Sequence, residues 1–147
     1  MLEEIKSEIL KQYKPTDIKW MFFSVFSNTW DLLMSNWVIS TDKTVLDLCE
    51  TIYNWLIKKQ ENIKTIAVDV IEDFERQEDV NKILWLDSNI FGIFLINKET
   101  KKSGLILPGT IWVTDIRSSL TFIKKKFWIE WSVEIYSFKT NRIIIKF

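Results

Sequence analysis

A chain of 147 residues carries twenty basic and twenty acidic side chains, no histidine and one cysteine. That length suits one ordinary domain, residues 1–147, able to bury roughly 68–70% of its unfolded surface without disulfides or metals. The cancelled charge supplies no field to draw in nucleic acid or anionic lipid. The missing imidazole excludes serine triads, cysteine–histidine dyads and histidine-ligated zinc or iron from the chain's own residues.

Leu2, Ile5, Ile9, Leu10 and Tyr13 recur at helical spacing until Pro15, which predicts a first helix to about Lys14. Met21–Ser27, rich in aromatics with Val25, reads as a strand, with Leu32–Ile39 as its hairpin partner across the turn Asn28–Asp31. Ser40, Thr41 and Asp42 offer N-cap oxygens to a second helix faced by Val45, Leu48, Cys49, Ile52, Leu56 and Ile57. Lys58 and Lys59 fall in its last turn, where cations suit the helix dipole. Lone Cys49 permits neither an internal disulfide nor a cysteine-rich zinc site, and on that apolar face it reads as a small buried hydrophobe.

Ile63–Ile71 is β-branched and short enough for a buried strand, with Asp69 as the one charge deep inside it. A carboxylate buried there without a partner would be costly. Asp69 is therefore expected on the wet face of an edge strand, with a site carboxylate as the competing reading. Glu72, Asp73, Glu75, Glu78 and Asp79 read as a solvated loop, and Val80–Leu84 as a short helical turn. Phe91–Ile96 and Gly104–Leu107 form a second hairpin around the polar turn Asn97–Ser103.

Pro108 and Gly109 then end the strand, and Thr114 or Asp115 caps a third helix faced by Ile116, Leu120, Ile123 and Phe127. Lys124, Lys125 and Lys126 sit in its last turn, a placement the dipole explains without a phosphate ligand. Val133–Phe138 and Arg142–Ile145 read as two closing strands. The stretch Ser103–Phe138, a strand, crossover helix and strand, organises the rest. The expected fold is α+β: a single domain with a mostly antiparallel sheet and about three packed helices. No apolar run reaches the roughly 20 residues that span a bilayer, and the opening M-L-E-E-I-K lacks a signal-peptide layout, so the expected location is the cytoplasm, away from membranes.

Tryptophan is over-represented. Eight tryptophans (Trp20, Trp30, Trp37, Trp55, Trp85, Trp112, Trp128 and Trp131) stand against three glycines, whereas glycine ordinarily makes up about 7% of a chain. Trp30 occupies a hairpin turn that favours φ > 0, and Trp128 the end of helix three, where a left-handed glycine cap usually sits. Trp85 and Trp112 fall in connections. Two readings compete. The rings pack the core, which suits Trp55 inside helix two best. Alternatively, these codons are UGA, which some bacterial lineages read as glycine; exchanging all eight brings glycine back to the ordinary share of about 7%.

V-D-V-I (Val68–Ile71), L-D-S-N-I-F-G-I-F-L (Leu86–Leu95), S-G-L-I-L-P (Ser103–Pro108), the lysines closing helix three and V-E-I-Y-S-F (Val133–Phe138) together resemble the AMMECR domain family. That family includes protein A of the AmmeMemoRadiSam system. The resemblance covers Val68 to the C-terminus, and the first half by the order of its elements. It implies an accessory or binding protein without a cofactor, partnered by a Memo-like dioxygenase and a radical-SAM enzyme in a modification system. It also places Trp30, Trp37, Trp85, Trp112 and Trp128 where the family pattern carries glycine. The family's Leu-Arg-Gly-Cys-Ile-Gly signature is replaced by Leu32-Leu33-Met34-Ser35-Asn36-Trp37, so no role of the family cysteine carries over.

Ser35 and Asn36, in place of the signature, join Asp69 and Pro108 as cleft candidates, although Ser35 and Asn36 read more plainly as outward polar positions of a strand. Against the accessory reading stand a small enzyme using cleft carboxylates around Asp69 and, more distantly, an RNA-binding module stacking bases on Phe22, Phe23 and Phe26. For those three rings, core packing is the plainer use.

Overall fold

The computed structural model describes residues 1–38, 42–129 and 133–147, with the backbone alone of 37 and 38. In chain order the elements are α1 (Leu2–Leu10), β1 (Met21–Ser27), β2 (Leu32–Val38), α2 (Val45–Trp55), β3 (Ile63–Gln77), α3 (Val80–Ile83), β4 (Gly92–Ile96), β5 (Ser103–Ile106), α4 (Ile116–Phe127) and β6 (Glu134–Lys146). The strands form one antiparallel sheet in the order β2-β1-β3-β6-β4-β5, which makes the fold α+β as expected. Contacts gather into two compact units, Met1–Ile71 with Asn141–Phe147, and Glu72–Thr140.

In the first unit β1 alternates strictly. Met21, Phe23 and Val25 are buried, and they pack with Ile5 and Ile9 of α1, with Leu48, Cys49 and Ile52 of α2, and with Ile66, Val68 and Val70 of β3. The helix is shorter than its periodicity predicts. α1 stops at Leu10, yet Tyr13 stays buried because its amide donates to the Ile9 carbonyl oxygen at 3.0 Å and carries the chain one turn further. Ser40 and Thr41, expected as caps of α2, lie outside the described residues. The cap is Thr44, whose Oγ1 accepts the Asp47 amide at 3.3 Å.

In the second unit Ile83, Ile93, Leu95, Ile106, Ile116, Ile123 and Ile129 form a separate core. Asp115 caps α4 by accepting the Ser118 amide at 2.7 Å. β5 runs antiparallel to β4 and β4 antiparallel to β6, so β5 and β6 are parallel with β4 between them. The expected crossover unit is therefore present, with one strand inserted. Gly92 is required by packing, since a Cβ there would strike the Phe138 ring and lie 2.7 Å from the Ile106 carbonyl oxygen.

Three expectations need correction. The acidic run 72–79 is not a loop up to Gln77 but the second half of β3. Phe74 stacks on Tyr136 at 4.8 Å and Gln77 donates to the Ser137 hydroxyl at 2.8 Å, while Asp73, Glu75 and Arg76 are exposed. One packed face outweighs the polar composition. The two closing strands are one, because extended strand continues without a break from Glu134 through Lys139–Asn141 to Lys146. Finally, Trp55 does not enter the core. α2 ends there, and Leu56 and Ile57 close the apolar face instead, leaving the indole exposed.

Candidate functional site

The alternation that sends Phe23 into the first unit's core sends Phe22 and Ser24 to the opposite face of the sheet. Register then determines their neighbours. Ser24 lies across from Ser35 on β2 and Ala67 on β3, and Phe22 lies across from position 37 and Asp69. Ser35 and Asp69 thus share one face of the first unit. Asn36 pairs with Phe23, which pairs with Val68, so it belongs to the core-facing side, half-buried at the sheet edge. Pro108 belongs to the second unit, half-buried in the turn after β5, where the Gly109 amide donates to the Ser88 carbonyl oxygen at 2.9 Å.

Asp69 is neither on a wet face nor on an edge strand. β3 lies between β1 and β6, and the Asp69 side chain is 1% exposed. Its charge is held by Arg142 on β6 in a two-pronged contact: Nε donates to Oδ1 at 2.8 Å and Nη2 to Oδ2 at 3.0 Å. These hydrogen bonds raise the Arg142 pKa above the ordinary guanidinium value, against a lowering by burial. A fork of this kind orients the guanidinium plane. It engages two of the five N–H donors, and the Arg142 side chain is 52% exposed. Sequence reasoning missed Arg142. Its signal was available: a buried aspartate demands a cation, and Arg142 is one of only three arginines in the chain.

The other chemistry-bearing groups are placed as follows. Cys49 is buried, which pushes its thiol pKa up to about 12 and leaves it unreactive, as its spacing predicts. In the second unit Glu134 accepts the Tyr136 hydroxyl at 2.8 Å and meets Lys98 at 3.0 Å and Arg76 at 3.4 Å. The Tyr136 hydrogen bond, followed by that of Lys98, holds the glutamate below its usual range. Phe22 and Phe26 are half-buried on the Asp69 face, whereas Phe23 is committed to the core. An open groove of about 740 Å³ beside α1 is lined by Glu3, Glu4, Ser7, Glu8 and Lys146, and its lining does not include the Asp69 fork. Among the described residues no group of three histidine, cysteine, aspartate or glutamate side chains is placed to hold a metal ion, and no helix is long and apolar enough to cross a membrane.

No family model matches the chain, and no curated protein does. The chain is similar in structure to an uncharacterised protein from Pyrococcus horikoshii solved by crystallography, with a TM-score of 0.69 and 14% identity over 96% of this chain and 84% of that one. At that identity the likeness establishes a shared fold and nothing about activity.

Proposed function

We propose that the chain is a cytoplasmic accessory or binding protein rather than an enzyme. It works beside a Memo-like dioxygenase and a radical-SAM enzyme in a modification system, as the AMMECR resemblance implies. The observation that supports the non-enzymatic part is the closed fork between Asp69 and Arg142. A general base must keep a lone pair within reach of the proton it takes, and both oxygens of this carboxylate face a permanent cation. The carboxylate-enzyme reading therefore loses its leading residue.

The same fork supports a binding role. A half-exposed guanidinium held in one plane suits a carboxylate or phosphate on a partner. The RNA-binding reading has less support, because charge is balanced and Phe23 is unavailable for stacking.

The test is co-purification. The chain, tagged and produced with a Memo-like and a radical-SAM protein from the same source, is expected to retain at least one of them under mild conditions, and Arg142→Lys to weaken that retention. Recovery of neither partner would refute the proposal.

A further inference from the structure

Among the described residues six non-glycine positions have positive φ, and three of them are tryptophan: Trp30 at 63°, Trp112 at 78° and Trp128 at 55°. We infer that positions 30, 112 and 128 are glycine in the protein as its source cell makes it, the codons written here as tryptophan being read there as glycine. Each position sits where a named turn requires a residue without a Cβ.

The Ser27 amide donates to the Asp31 carbonyl oxygen at 3.0 Å and the Trp30 amide to that of Ser27 at 3.1 Å. These bonds close a three-residue hairpin loop, whose last position is left-handed and ordinarily glycine. The Val113 amide donates to the Thr110 carbonyl oxygen at 3.2 Å, which makes Trp112 the third residue of a four-residue turn. A φ near about +80° at that position defines a type II turn, and glycine is its usual occupant. Trp128 follows α4 at φ 55°, ψ 44°, and the Ile129 amide reaches back to the Lys124 carbonyl oxygen at 3.1 Å. That six-to-one bond is the Schellman motif, whose left-handed residue is most often glycine.

Side-chain placement agrees with the backbone. Trp30, Trp112 and Trp128 are 66%, 94% and 80% exposed, Trp85 is 89% exposed, and none of the six tryptophans with described side chains is buried. Tryptophan is ordinarily among the most buried residues on average. A docking surface would account for exposed indoles. It would not account for three of them at left-handed corners, each in a different turn type that calls for glycine. Trp131 lies outside the described residues, and at position 37 only the backbone is described, so neither contributes.

The natural protein is tested by peptide mass spectrometry on material from its source cells. Peptides spanning positions 30, 112 and 128 are expected to lack the mass of an indole side chain at each, and the coding DNA to read UGA at all three. Tryptophan in any of these peptides, or UGG at any of the three codons, overturns the inference. Retained tryptophan would make the exposed indoles a genuine surface feature of the chain as written.

Discussion

The strain at the end of α4 is measurable apart from any question of coding. Replacing Trp128 by glycine and by alanine removes the same ring, so the indole's small residual burial cancels in the comparison. Alanine keeps a Cβ in the left-handed conformation, at a cost of roughly 1–2 kcal/mol, and glycine does not. Against this, glycine frees the unfolded chain by about 0.5–1 kcal/mol. Trp128→Gly should therefore exceed Trp128→Ala in stability by about 0.5–1 kcal/mol, or roughly 1–4 °C in melting temperature. Trp55 provides the control, because it is the last residue of α2 and its φ is not positive. There the order reverses, with alanine ahead by less than the mid-helix value of about 0.5–1 kcal/mol. Urea unfolding with a common slope measures both pairs. Alanine equal to or above glycine at 128, or glycine ahead at both sites, would refute the argument from backbone geometry.

Two further outcomes follow from the ion pairs. Arg142→Ala leaves a buried carboxylate without a partner and should cost about 3 kcal/mol, the low end for a broken buried pair because Arg142 is half-exposed. Asp69→Asn should cost less, on the order of 1–2 kcal/mol, because the guanidinium can turn into water; denaturant midpoints showing the opposite order would contradict the assigned burial. Glu134 is held below the ordinary glutamate value of about 4.3 by Tyr136 and Lys98. The sign follows from linkage: its contribution is present above the unfolded value and is lost as pH falls through the depressed folded value. Thermal melts at falling pH should show that loss in the parent chain and a flatter profile in Glu134→Gln.

Much of the fold was legible from local pattern. β1 and β2 were readable to the residue or nearly so, because two short apolar runs on either side of a turn mark a hairpin directly in the sequence. The helix faces were equally plain, as was the hydrophobic role of Cys49. The acidic stretch after Ile71 was misread because composition was weighed over period: Phe74 and Gln77 already marked a packed side among the charges. The cap of α2 was missed by a few residues, since Thr44 competes with other hydroxyls upstream and only backbone geometry separates them.

The site was far less legible. Asp69 and Arg142 lie 73 residues apart, and no local window relates a lone aspartate in one strand to a lone arginine in another. Composition announced that something was unusual about tryptophan, and turn chemistry indicated where. That these positions are left-handed depends on the hydrogen bonds that close each turn. By itself the sequence determined the helix faces, the first hairpin, the absence of imidazole chemistry and the excess of indole, since each is a property of short segments or of simple counts. Only the tertiary structure decided which charge faces which, because pairing in a sheet is set by register between strands distant in the chain. It also decided that no described indole reaches a core, because burial depends on what packs against a residue and not on how apolar it is.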